Sequence, residues 1–428
     1  MSFRSPTKVL AASWRRDLWL VAAGRAISLL GDEVAVIALL LAASRPTGGP
    51  SGSGGGGVPM VAAILIAAAL PAIVLAPVSG LMADRLSARR LVAVVSSLQA
   101  ATCVALAMTS SSVAVVSLVL VLNAGQTVVS PAWQALLPNI VPRDRLAGAL
   151  SVVQTATASA GLIGPVVGGA LVGLGGTSTA LLVNALTFVA LAIAALLLNG
   201  DRSPNARESS GGALWDQSLA GVRLICSDPV LRSLVILIGG FVLGLGAVNV
   251  AEIFLITDVL GASAFAYGMV SALFALGMMS GAYAARRSYD DLGIARRIVL
   301  ASSVIVGSIT LLALSPSLPA AAVASAAVGI GNGMLNVRAQ QLIIRRSVQA
   351  ALGRVFAALA AVVNTCMLVA LGLGGTLLTF LDVRGLILLT AGATAFTLAL
   401  TTRPLLRASR DLVSPRAVEA MPEPQPHG

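Results

Sequence analysis

The chain has one lysine, Lys8, and one histidine, His427, in 428 residues; charged residues make up 11% of it and aromatics 4%. Each scarcity removes a class of function. With His427 in a proline-rich tail, histidine proton relays and histidine-ligated metal sites drop out. A phosphate-binding P-loop needs a lysine directly after its glycines, and Lys8 has no such context, so direct ATP drive drops out too. Cys103, Cys226 and Cys366 stand far apart and match no metal spacing. Without a histidine, cysteine or metal constellation there is no catalytic cluster, and neither an enzyme activity nor a cofactor is expected. The low aromatic content disfavours a cavity built on ring stacking. So few charges cannot coat a water-soluble surface, for which roughly 25% is usual.

What the chain has in abundance is long apolar runs. It is 57% hydrophobic, with a mean hydropathy of +0.94. Twelve stretches can each cross a hydrocarbon core of roughly 30 Å, which takes about 20 helical residues. They fall near 18–43, 58–79, 91–110, 113–133, 147–174, 179–198, 231–256, 264–285, 298–314, 318–342, 353–380 and 385–402. The runs are uninterrupted rather than alternating at period two, which selects helices over a barrel. An all-α membrane protein of twelve transmembrane helices follows. Residues 1–17 are polar and basic, and span one is full-length, so no cleavable signal peptide is expected.

Arginines gather on every second connection. Arg4, Lys8, Arg15 and Arg16 precede span one; Arg85, Arg89 and Arg90 follow span two; Arg143 and Arg145 follow span four. The second half repeats this with Arg286, Arg287, Arg296 and Arg297, then Arg345, Arg346 and Arg354, then a basic tail from Arg403. Because basic residues are retained in the cytoplasm, both termini are expected there, in a plasma membrane. The formal charge of +11 is thereby spent on topology and anionic lipid head groups, not nucleic acid. Arginine in this excess over lysine points to a GC-rich bacterial genome.

Five segments follow: a cytoplasmic N-terminus at 1–17, a six-helix bundle at 18–198, a cytoplasmic linker at 199–230, a second six-helix bundle at 231–402, and a disordered cytoplasmic tail at 403–428. Within the linker, the segment from Ala213 to Ile225 can form an amphipathic helix on the membrane surface. The bundles are a pseudo-repeat. An offset of 206 pairs Gly125 with Gly331, Gln134 with Gln340, Gly168 and Gly169 with Gly374 and Gly375, and Asp84 with Asp290. Paired bundles around a pathway are an architecture of secondary transporters.

Between spans two and three runs GLMADRLSARRLV, with Gly80, Asp84, Arg85, Arg89 and Arg90. It resembles the signature loop of the major facilitator superfamily, with Ser87 in place of the usual second glycine. Span five carries GLIGPVVGGAL, whose Gly161, Gly164, Pro165, Gly168 and Gly169 resemble the superfamily's antiporter motif. The segments LAGVRLICSDPVLRSL and LGRVFAAL are similar to the macrolide-efflux and enterobactin-exporter branch. The resemblance implies a latch in the signature loop and a bending helix at Pro165. The arginine that several drug/proton antiporters carry in span four is missing; Asn123 and Gln126 stand there.

Ionisable residues inside a bilayer cost roughly 2.5–3.5 kcal/mol each on insertion scales and so mark function. Asp32 lies mid-span and shares a helical face with Arg25 and Ser28. Glu33 is turned about 100° away. Glu252 lies near the end of span seven, where a pathway position and a solvated edge are both open. Asn123, Gln126, Ser130 and Gln134 line one side of span four; Asn332, Asn336 and Gln340, with Arg338 nearby, do so in span ten; Gln154 and Asn364 join from spans five and eleven. Each polar residue serves either as a substrate contact or as interhelical glue. The expected function is proton-coupled export of small amphipathic molecules, drug, antibiotic or siderophore-like, by a monomer using alternating access. An uptake carrier or uniporter stays open, as does a non-transporting membrane receptor.

Overall fold

A computed structural model describes residues 6–44, 57–75, 87–142, 145–198, 223–285, 290–347 and 352–411. Among these, regular structure is helical throughout. In chain order the α-helices are α1 (Pro6–Ser44), α2 (Val58–Val74), α3 (Ala88–Met108), α4 (Ser112–Ile140), α5 (Leu146–Leu196), α6 (Pro229–Phe254, continued by a π-helical turn over Leu255–Val259), α7 (Ala264–Ala284), α8 (Asp291–Ala313), α9 (Leu318–Arg346), α10 (Leu352–Leu377) and α11 (Val383–Asp411). Ten are long and apolar enough to cross a membrane, and α2, with 17 residues, is the shorter apolar one. Starts are set locally. Ser87, Asp228, Ser263 and Asp290 each accept backbone N–H bonds from the following first turn.

Spans five and six are two helices that meet at a sharp kink and are labelled together as α5. At 51 residues α5 would measure about 75 Å if straight, more than twice the hydrocarbon thickness. Gly176, at φ 77° and ψ 178°, breaks it, in a region of backbone space that suits glycine. Before the break, Gly164 faces Glu33 and Gly168 faces Val34 and Ile37, so this leg advances with α1. After it, Asn184 and Thr187 face Gly31 and Leu191 faces Gly24, so the chain runs back. Bonds from Ser178 Oγ to the Ala107 carbonyl and from Arg89 to the Leu196 carbonyl fix the return leg against both ends of α3. With the two legs of α5 counted separately, the described helices make twelve passes.

Large apolar side chains cover the outside: Met108, Leu174, Leu186 and Phe396 are all exposed, as a hydrocarbon solvent requires. Inside, each half has its own apolar core. The first-half core also recruits Val250, Ile253, Phe254, Tyr267 and Leu371 from the second half. These belong to the ends of α6, α7 and α10 remote from the arginine-bearing connections.

Close backbone approaches join the halves at that same end. A methyl on Gly169 would fall 2.5 Å from the Ala264 carbonyl oxygen, one on Gly268 would strike the Pro165 carbonyl, and one on Gly375 would fall 2.5 Å from Ala62 Cβ. Within the second half, α7 and α9 interlock through Gly277, Gly281, Gly329 and Gly333, each against a backbone carbonyl of the other helix.

At the basic end, Arg16 Nη2 and Arg89 donate to the Leu197 and Leu196 carbonyls, satisfying the open carbonyls at the end of α5. Arg15 and Arg145 approach the Trp14 ring at 5.5 and 5.9 Å. Asp291 pairs with Arg346 at 2.8 Å and with Arg345 at 3.5 Å, tying α8 to α9. At the bare end, Arg384 donates to the Ser315 carbonyl at 2.8 Å.

α1 begins at Pro6, and α11 continues to Asp411, where Leu405 and Ser409 bury one face of its last turns. The surface helix expected over 213–225 lies outside the described residues apart from its last three positions.

Candidate functional site

The polar face of α1 opens on a cavity of about 190 Å³ between α1, α4 and both legs of α5. Arg25, Ser28, Leu29, Gln126, Trp133, Gln154, Thr157 and Leu191 line it. The helical spacing that groups Arg25 with Ser28 on α1 also groups Gln126 with Trp133 on α4, seven residues apart. Asp32 lies one turn beyond Ser28. Gln126 Nε2 donates to Asp32 Oδ2 at 2.9 Å, so one side chain both lines the cavity and holds the carboxylate. Among the described residues Asp32 makes no ion pair; Arg25, two turns away, acts on it only through the intervening field. Ser28 Oγ and Trp133 Nε1 are buried and find no hydrogen-bond partner among the described residues.

Behind Asp32 stands a polar layer. Gly31 lets the return leg of α5 press Asn184 and Thr187 against α1, and Asn184 Nδ2 donates to Cys103 Sγ at 3.5 Å. Asn184 is fully buried, and its own Oδ1 accepts from Thr187 Oγ1. A buried asparagine within span six was the available sequence signal.

Glu33 projects toward the first leg of α5, where Gly164 makes room: a methyl there would fall 2.5 Å from Glu33 Cβ. Glu252 is half-buried, and its Oε1 accepts from Ser325 Oγ on α9 at 2.9 Å. Buried Tyr267 of α7 sits within electrostatic reach of both Glu33 and Glu252.

A second cavity, of about 290 Å³, lies in the other half between α6, α9 and α10. Asn332, Asn336, Gln340 and Asn364 supply its polar groups, and Ile238, Phe241, Leu245, Phe356 and Val363 are among its apolar lining. Arg338 is turned from it: fully buried, it donates to Gln341 Oε1 at 2.8 Å, and Gln341 reaches the Ala285 carbonyl of α7. Asn123 bonds its own helix at the Val119 carbonyl.

Of the signature loop, Gly80, Asp84 and Arg85 lie outside the described residues, as does the Gln134 side chain. Arg89 holds the end of α5, and Arg90 is exposed. Asp290 caps α8 through the Gly293 N–H at 3.1 Å, while its neighbour Asp291 makes the ion pairs to α9. Of the span-five motif, Gly164, Gly168 and Gly169 are tightly packed, and Gly161 has open space beside it. Among the described residues, no group of three or more histidine, cysteine or acidic side chains is arranged to hold a metal.

The fold is shared with solved transporters. A POT family transporter in complex with 5-aminolevulinic acid superposes with a TM-score of 0.72 at 10% identity, covering 92% of this chain and 97% of that one. A bacterial homologue of the iron transporter ferroportin, in an inward-facing state, gives 0.68 at 13%, covering 92% and 99%. A bacterial homologue of the human lysosomal transporter Spinster, inward-facing and unoccupied, gives 0.67 at 12%, covering 96% and 98%. No curated protein sequence matches significantly. The family model for the Major Facilitator Superfamily matches residues 21–254 and again 243–423, one match for each half. With both halves matched and twelve passes in two related bundles, the chain belongs to the Major Facilitator Superfamily and is a multi-pass secondary transporter, not an enzyme.

Proposed function

We propose that this transporter exports small amphipathic molecules in exchange for protons, in the manner of the macrolide-efflux and enterobactin-exporter branch, with Asp32 as the protonated group. One observation carries this reading. Asp32 is held by a single neutral donor, Gln126, at the edge of a cavity, with no ion pair among the described residues. A carboxylate balanced by a neutral amide can gain or lose a proton without breaking a salt bridge, whereas a paired one would be locked in its charged form. Gln126 accommodates either form, because its amide offers both a donor and an acceptor.

In this reading the arginine-bearing end faces the cytoplasm, as do both termini, in a bacterial plasma membrane. Among the described residues the halves meet at the bare end, which suits a state open to the cytoplasm. Asp84, Arg85, Arg89 and Arg90 close that side in the opposite state, while Gly164, Gly168 and Gly169 around Pro165 let the first leg of α5 bend. The protein works as a monomer.

The test uses purified protein in proteoliposomes. Asp32→Asn fixes the neutral form; it should abolish proton-driven accumulation while leaving downhill exchange of substrate. Uphill transport at the wild-type rate with unchanged pH dependence would reduce Asp32 to a structural role and move attention to Glu33 and Glu252.

A second reading, uptake with protons, is favoured by the position of Arg25 on the same face. Neutralising Asp32 would leave the Arg25 charge without its counter-charge and so strengthen binding of an anion. Acidifying the outside of proteoliposomes separates the two, driving substrate outward in the first and inward in the second.

A further inference from the structure

The two cavities differ in the chemistry of their linings, one charged and rich in donors, the other neutral. In the first-half cavity, polar side chains outnumber apolar ones, and the single formal charge on the wall is Arg25. Among the described residues Arg25 makes no hydrogen bond or ion pair. Guanidinium and indole N–H groups donate and cannot accept. Trp133 Nε1 and Ser28 Oγ are buried, both residues 3% exposed, and neither has a hydrogen-bond partner among the described residues. Thr157 gives its hydroxyl proton to its own helix at the Val153 and Gln154 carbonyls, and Gln126 gives one amide proton to Asp32. Unspent capacity in this wall is therefore mostly donor capacity.

An unpartnered buried donor costs about 1–3 kcal/mol. Two of them beside an unpaired arginine, around one void, describe a site completed from outside the protein. The group that completes it accepts hydrogen bonds and carries negative charge.

The second-half cavity lacks any ionisable lining. Its polar groups are four carboxamides, each able to donate and accept, set in an apolar wall of α6, α9 and α10 side chains. Such a surface takes a neutral, mainly apolar body and tolerates scattered polar groups on it.

We infer that the substrate is an amphipathic carboxylate, its anionic head bound by Arg25, Ser28 and Trp133 in the first half and its apolar body held by the carboxamide-studded cavity of the second. This rests on the transport function proposed above and takes both cavities as parts of one pathway. It does not depend on the direction of transport.

The experiment uses full-length protein in lipid nanodiscs and three probes with one apolar body and different heads: phenylbutyrate, phenylbutanol and phenylbutylamine. Binding is read as a concentration-dependent rise in melting temperature and as a change in tryptophan fluorescence. Phenylbutyrate should bind best, and phenylbutylamine worst. Arg25→Gln should weaken phenylbutyrate at least about tenfold while changing phenylbutanol little, since one charge-assisted contact is lost. Trp133→Phe keeps the ring and removes only the N–H, so a several-fold loss confined to phenylbutyrate is expected. Arg25→Lys should recover part of the affinity.

Equal binding of acid and amine, or phenylbutyrate binding untouched by Arg25→Gln, overturns the inference. Selective anion binding that Arg25→Gln removes, together with no flux of the bound probe in proteoliposomes, would leave the site standing and sink the transport reading. Proton-driven flux of a neutral or cationic compound, with no anion preference, would do the reverse.

Discussion

At the scale of single residues, the half-buried acids within the helices are distinguished by their partners. Asp32 has an amide, Glu252 a hydroxyl, and Glu33 a glycine that leaves it room. Ser325 is 2% exposed and its bond to Glu252 joins α6 to α9. Ser325→Ala should therefore cost about 1–3 kcal/mol, measured as a lower melting temperature of purified protein. Ser303→Ala removes only an exposed bond within one helix and should leave the melting temperature within error; equal effects would argue against a structural role for Glu252. The face of Arg25, Ser28 and Asp32 was legible in the sequence because helical phase alone places it. Gln126 and Gln154 were legible as polar residues in apolar spans. Trp133 was not singled out, although its spacing from Gln126 was there to use. Ser325 could not be chosen, since serines are frequent in these helices and only the crossing of α6 with α9 selects one.

At the scale of helices, glycine positions decide how closely two segments meet. The repeat offset has physical content here. Gly168 packs on α1 and Gly374 on α6, the first helices of their halves; Gly169 meets α7 across the interface and Gly375 meets α2 across it. Gly125 packs on α3 as Gly331 packs on α8. The alignment of motifs could pair these glycines but could not say which neighbour each one faces. Gly161 shows the limit of motif reading, because it belongs to the pattern and touches nothing that a methyl would meet. Gly161→Ala should transport normally. Gly169→Ala must displace the Ala264 carbonyl, and a shift of about 1–3 kcal/mol between the two access states is the usual scale of such coupling. Accessibility of cysteines placed along the pathway would record it; an unchanged pattern in Gly169→Ala would remove this contact from the conformational cycle. The mutual glycine pairs of α7 and α9 were present in the sequence as two four-residue spacings, Gly277 to Gly281 and Gly329 to Gly333.

At the scale of the whole molecule, the alternation of charged and bare connections foretold twelve passes because each loop has to satisfy one side of the membrane. It could not foretell that spans five and six would be joined by a single residue, since a short glycine-rich stretch reads equally as a loop. Orientation is tested with cysteines introduced after the exposed Cys226 has been changed to serine. Labelling from outside the cell should modify Ser53→Cys and Ser317→Cys and spare Ser209→Cys. Strong outside labelling at position 209 would overturn the assignment of the linker to the cytoplasm.

The break at Gly176 bears on how the protein is made. A loop of ordinary length lets the translocation machinery commit one span before the next emerges, and its charges vote on the outcome. Here nothing but Gly175, Gly176 and a few small residues separates the legs, and none of them is charged. The two legs are expected to enter the bilayer together as a hairpin, with Arg143 and Arg145 before them and the linker after them setting its orientation. A charge or a bulky side chain placed at position 176 would thus be felt first during synthesis, as failed insertion and degradation, before transport was ever attempted.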